Sequence, residues 1–143
     1  MKEAYRNTEH ILYAYNTLNQ KLAIDIQDIL DLKAEHERYN TSHKKTRPED
    51  WDADIDDEIR HTQKIRNRER GMVRTQKLIE RIKHALSILD AKEYELIAEL
   101  YFDGLSVTEV AQTHGCSVKT VCKNRKRIVT DMMILLYGAD ALE

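Results

Sequence analysis

One stretch of this chain, GLSVTEVAQTHGCSVKTVCKNRKRI from Gly104 to Ile128, leaves the backbone few choices. Ser106 and Glu109 have capping-box spacing: the serine hydroxyl accepts the amide of the third helical residue, and the glutamate reaches back to the cap amide. Leu105 and Val110 bracket that cap as a hydrophobic staple. A helix is therefore expected to start at Val107, with room for only about two turns before His114-Gly115. Gly115 tolerates the positive φ that a sharp exit requires. Ser117 then caps a second helix, with Cys116 and Val121 again at staple spacing. Two capped helices joined by a glycine turn make a helix-turn-helix. Ala111 is small where the two helices must approach, and Val110, Val121 and Ile128 are the expected core contacts.

On a wheel of 100° per residue, Lys119, Cys122, Lys123 and Lys126 fall together opposite those apolar positions, with Val118 at the edge. A basic face at the front of the second helix suits the major groove, where lysine donates to guanine acceptors. The alternative is a small helical hairpin whose lysines are merely solvated. On the first reading, Ser117, Val118, Lys119, Cys122 and Lys123 face base edges, with Val118 against a thymine methyl. Thr108, Thr120, Arg125, Lys126 and Arg127 are then phosphate contacts, which set orientation and supply salt-dependent affinity.

Leu89 through Leu136 resembles region 4 of bacterial sigma factors in three parts: LDAKEYELIAELYF, LSVTEVAQTHGCSVKTV and the basic RKRI. The layout of the whole chain resembles the RinA/ArpU-type late-gene transcriptional regulators of phages of Gram-positive bacteria. These resemblances imply a helix-turn-helix that reads the −35 promoter element, contact with RNA polymerase, and activation of phage late genes in the cytoplasm of a bacterial host. Asn124 stands where such motifs carry an aliphatic core residue. Either it finds a buried partner, or the recognition helix is rotated and the base contacts shift by a position. A competing class is a DNA-packaging or assembly adaptor resembling a small terminase subunit, which also joins a helix-turn-helix to oligomerising helices. There the DNA module usually comes first, whereas here it comes last. A third reading is a polymerase-binding protein that never touches DNA. A monomer or dimer favours a regulator, and a ring of many copies an adaptor.

At 143 residues the chain has the size of one ordinary domain or two small ones. Charged residues at 34%, with only four Gly and one Pro, point to an all-α fold: a long N-terminal helix, a middle helix and the C-terminal helix-turn-helix. A net charge of −2 excludes a generally basic nucleic-acid coat protein but not a local basic patch. Cys116 and Cys122 fit neither a disulfide framework nor a zinc site, so free thiols in a reducing cytoplasm are expected. No apolar run approaches the ~18 residues of a membrane span and no signal peptide opens the chain, which suits a soluble intracellular protein. There is no Gly-rich phosphate loop, no nucleophile elbow and no His/Cys/Asp cluster at ligand spacing, so no enzyme, metal or cofactor is expected. His114 reads as a polar turn residue.

Three segments follow. In 1–53, an N-terminal helical and oligomerisation segment with a polar linker, residues 2–39 lack Gly and Pro and carry two heptad series. Ile11, Leu18 and Leu32 form one and Tyr15, Leu22 and Ile29 the other, with Ile26 and Leu30 widening the stripe. Asp25 continues the first series, which counts against a perfect coiled coil. A helix of roughly 50 Å needs a partner helix, from this chain or from a second copy in a homo-oligomer. Thr46-Arg-Pro-Glu49 suggests a short capped turn, and Trp51 is expected to tuck onto the helical core. In 54–88, a middle helix starts near Asp54, acids from Glu49 to Glu58 preceding bases from Arg60 to Lys83. Its apolar side is expected to hold Ile55, Ile59, Val73, Leu78, Ile79, Ile82, Leu86 and Leu89, and Gly71 to kink or break it. Arg66, Arg70, Arg74 and Lys77 are either a solvated face or a stripe along DNA phosphates. In 89–143, Asp90 and Glu93 form another capping box with Leu89 and Tyr94 as staple, and the helix runs to Phe102. Tyr94, Ile97, Ala98, Tyr101 and Phe102 are expected in the core, not as base-stacking platforms. Met132, Met133, Leu135 and Leu136 extend an apolar face beyond the recognition helix.

Overall fold

With no Gly or Pro to interrupt it, the first helix, α1, runs unbroken over Lys2–Ser42 in the computed structural model, which describes residues 1–42 and 51–143. Helix α2 spans Trp51–Ile88 and α3 spans Ala91–Ile97, passing directly into a π-helical turn, Ala98–Phe102. Helices α4 (Val107–His114) and α5 (Val118–Tyr137) follow, and a 3₁₀ turn, Gly138–Leu142, closes the chain. The described residues hold no strand, so the fold is all-α as expected. The turn expected at Thr46-Arg-Pro-Glu49 lies outside the described residues. Two compact units form, one from residues 19–77 and one from 1–18 with 78–143, cutting across the segments 1–53, 54–88 and 89–143.

In the 19–77 unit the partner helix comes from the same chain. Tyr39 donates its hydroxyl to Asp57 at 2.6 Å, and the rings of His36 and Tyr39 each lie 5.2 Å from that of His61. Lys33 pairs with Glu69 at 3.3 Å and Arg68 with Asp28 at 3.7 Å, which sets the two helices antiparallel. The seam follows the heptad positions, with Ile29 buried and Leu22, Leu32, His36 and Tyr39 half-buried. Asp25 keeps its place in that stripe: it is buried, and its carboxylate accepts Lys21 at 2.6 Å.

Several expectations for this unit fail for one reason. Ile26 and Leu30 do not widen the seam, and Ile55, Ile59 and Val73 are exposed. Two antiparallel helices bury one narrow stripe each, and among the described residues no third element of this unit covers a second face. Trp51 is likewise 53% exposed, at the first residue of α2, instead of packed on a core. Gly71 does not break α2: the helix runs through it, its φ is not positive, and the Thr75 hydroxyl donates to its carbonyl at 3.2 Å. A glycine costs a helix only about 1 kcal/mol relative to alanine, too little to interrupt a long run of intact hydrogen bonds.

The other unit holds the main core. Leu12 of α1, Ile82 of α2, Ile97 of α3, Val110 of α4 and Ile128 and Met132 of α5 are all at most 1% exposed and belong to one cluster. Each such side chain contributes about 1.5–3 kcal/mol by leaving water. Met133 and Leu136 are buried as expected, whereas Leu135 and Tyr94 are exposed. Phe102 is half-buried, its ring 5.1 Å from that of Tyr15. Arg81 donates to the carbonyl of Leu136, satisfying an acceptor at the end of α5.

Candidate nucleic-acid interface

Local chemistry builds the helix-turn-helix from its caps inward. Asp90 accepts the Glu93 amide at 2.8 Å while Glu93 accepts the Asp90 amide at 3.1 Å, the expected capping box of α3. Ser106 and Glu109 repeat the arrangement at α4, at 3.1 and 3.4 Å. Helix α4 ends at Gly115, with φ 65° and ψ 35°. There the Cys116 amide donates to Ala111 at 3.0 Å and the Gly115 amide to Gln112 at 3.4 Å, a Schellman closure. Ser117 then caps α5, accepting the Thr120 amide at 3.1 Å. Ala111, Val110, Val121 and Ile128 are buried, so α4 and α5 pack through the residues the sequence nominated.

That packing sends the opposite side of α5 outward. Ser117, Val118, Lys119, Thr120 and Lys123 are exposed, and Val118 is 45% exposed at the first turn. Thr108, Lys126 and Arg127 are exposed too. Five of the nominated side chains, Ser117, Thr120, Cys122, Arg125 and Arg127, have structural neighbours. The Ser117 hydroxyl is held in the cap and lies 2.9 Å from that of Thr120. Arg127 donates to Glu93 at 2.9 Å, so reaching a phosphate means exchanging one anion for another. Cys122 is half-buried, lining a cavity of about 700 Å³ together with Met1, Tyr5 and Arg125. Asn124 is half-buried on the wall of a cleft of about 300 Å³ with Val110 and Val121. Since Val121 and Ile128 keep their core places, α5 is not rotated out of the expected register.

Arg125 turns toward α1. Its Nε is buried without a hydrogen-bond partner, next to Tyr5. Burial, aided by the charge of Glu9, raises the Tyr5 pKa, and the Arg125 guanidinium partly opposes that rise. Tyr101 donates to Glu9 at 2.7 Å, and burial followed by that hydrogen bond pushes its pKa far above 10.0. The π turn that carries Tyr101 also sets its ring 4.6 Å from that of the exposed Tyr13, and Tyr101 itself is buried in the core, as the sequence indicated.

Lys2 and Arg6, on the first turns of α1, line the same cavity as Arg125 and Lys126. They add cations beside the recognition helix that sequence reasoning missed, because nothing local links positions more than a hundred residues apart. In the 19–77 unit, Arg66, Arg70 and Arg74 are exposed along a groove of α2 that also includes Glu69 and Val73. Glu95, Glu99 and His114 are the one set of metal-ligating groups found close together among the described residues.

Residues 34–133 match the family model described as ECF sigma factor. No curated protein and no solved structure matches the chain.

Proposed function

Because this chain belongs to the ECF sigma factor family, and so to the DNA-binding proteins of transcription, we propose that it is a sequence-specific transcriptional regulator that reads duplex DNA with α5. The observation that carries this reading is the outward lysine face of a helix whose other side is locked into a core. Lys119 and Lys123 donate to guanine acceptors in the major groove, and Val118 meets a thymine methyl. Lys126, Arg127, Thr108 and Thr120 hold phosphates, Arg125 being turned to Tyr5 of α1 with its Nε buried, and Ser117 keeps the first turn of α5 formed as it enters the groove. Family membership supports RNA polymerase as the protein partner at promoters. The layout, with a long N-terminal helix and the DNA module last, supports a phage late-gene activator in the bacterial cytoplasm. No helix of the described residues is long and apolar enough to cross a membrane. Binding alone performs this role, without catalysis or a cofactor.

Selection of binding sites from random duplexes, run across a salt series, tests the reading. Lys119→Ala and Lys123→Ala are each expected to cost ~1–3 kcal/mol and to relax preference at one base pair, whereas Arg127→Ala weakens all sequences alike. Unchanged sequence preference in both lysine variants, or no duplex retained even in dilute buffer, refutes it. A ring of many copies seen by light scattering would favour a packaging adaptor instead.

A further inference from the structure

We propose that Glu95, Glu99 and His114 form a binding site for one divalent first-row transition-metal ion, of which Zn²⁺ is the natural probe. Their ligand atoms all lie within 4.8 Å of one another. The Glu99 side chain is only 12% exposed, and both its oxygens converge on a single nitrogen, Nε2 of His114, at 2.9 and 3.1 Å. A carboxylate has about four acceptor positions, so one imidazole nitrogen leaves most of that capacity unused at a sheltered point. Metal–ligand bonds of about 2.0–2.2 Å keep the ligands of one ion within about 4.4 Å of each other. Closure therefore needs only a small swing of Glu95, whose side chain is exposed.

The donor set selects the ligand. Two carboxylates balance a divalent charge, and the imidazole disfavours Mg²⁺ and Ca²⁺, which take oxygen ligands. Glu95 and His114 line the cleft of about 300 Å³ that also holds Lys92 and Cys116. The Lys92 ammonium at that cleft opposes a cation, and the Cys116 thiol lines the same cleft outside the three groups whose ligand atoms converge. An ion here ties the last residue of α4, and with it the Gly115 turn, to the helix before it, at the point from which α5 departs.

The test uses the untagged full chain, stripped with a chelator, and reads no DNA binding, so it stands or falls apart from the regulatory reading. Calorimetric titration with Zn²⁺ is expected to show saturation at one ion per chain, and Co²⁺ to give a visible ligand-field band. Free Zn²⁺ at 100 times Kd should shift the unfolding equilibrium about 100-fold toward the folded state. His114→Ala and Glu99→Gln should each weaken binding by more than the about 10–100-fold typical of outer-shell partners, with Glu95→Gln milder. Glu95 and His114 are exposed, so their variants keep the core, and circular dichroism checks that Glu99→Gln does. Non-saturating binding overturns the proposal, as does binding that survives both His114→Ala and Glu99→Gln. Binding abolished by Cys116→Ser with Cys122→Ser, yet kept in His114→Ala, overturns it too and places the ion on the thiols.

Discussion

Alanine at Gly71 and alanine at Gly115 are expected to change stability in opposite directions. An added Cβ meets no heavy atom within 4 Å at either position, so side-chain packing contributes to neither change. At Gly71 the backbone is right-handed helix, and Gly71→Ala should stabilise by about 0.5–1 kcal/mol, mainly by restricting the unfolded chain. At Gly115 the backbone sits at φ 65° and ψ 35°, where an L side chain crowds its own carbonyl at a cost of about 1–2 kcal/mol. The two variants should therefore differ by roughly 1.5–3 kcal/mol, all of it backbone in origin. Gly115→Asn should recover part of the loss, since asparagine visits the left-handed region more readily. Urea unfolding followed by helical circular dichroism gives the energies from midpoint shifts at constant m-value. Because the chain has two compact units, amide exchange around residues 71 and 115 assigns each change to its unit. A destabilising Gly71→Ala would mean that α2 is interrupted there after all, and a stabilising Gly115→Ala would remove the left-handed turn on which the α4–α5 geometry rests.

Glu93→Gln keeps a side chain able to cap α3 but frees Arg127, so the dependence of duplex affinity on log salt should steepen by about 0.9; an unchanged slope means Arg127 stays off the DNA. Tyr101→Phe should cost about 1 kcal/mol at neutral pH through the lost bond to Glu9. A raised native pKa makes the folded state hold its proton longer, so Tyr101 contributes fully below its ordinary value of 10.0 and its contribution falls as pH climbs above it. Tyr101→Phe should flatten that alkaline decline in urea unfolding, and a slope equal to that of the unaltered chain refutes the cause. Met132→Ala, at a fully buried position, should lose about 2–5 kcal/mol by thermal denaturation, and a loss under about 1 would place it outside the core. Ile26→Gln and Leu30→Gln should each change stability by no more than about 0.5 kcal/mol; a cost above about 2, with a drop in mass by light scattering, would show that a second copy covers that face.

What could be read directly from the residues was whatever closes within a few positions. The boxes at Asp90 and Ser106, the cap at Ser117 and the left-handed turn at Gly115 each need partners no more than five residues away. Local spelling therefore determines them, and with them the helix-turn-helix and its outward lysines. Periodicity also located the α1 stripe, including the place of Asp25 in it. It failed at Ile26, Leu30, Ile55, Ile59 and Val73, because an apolar residue is buried only if some element arrives to cover it.

Which groups meet across long separations was decided by the tertiary structure alone. Tyr101 finds Glu9, Arg127 finds Glu93, and Arg125 turns to Tyr5, each pair brought together by helices whose crossing no short motif encodes. The same is true of His114, a turn residue in the sequence, which the packing of α4 on the preceding helix places against Glu99. Caps and turns are set by backbone hydrogen bonds between near neighbours. These pairings are set by the burial of a shared core, which depends on the whole chain at once.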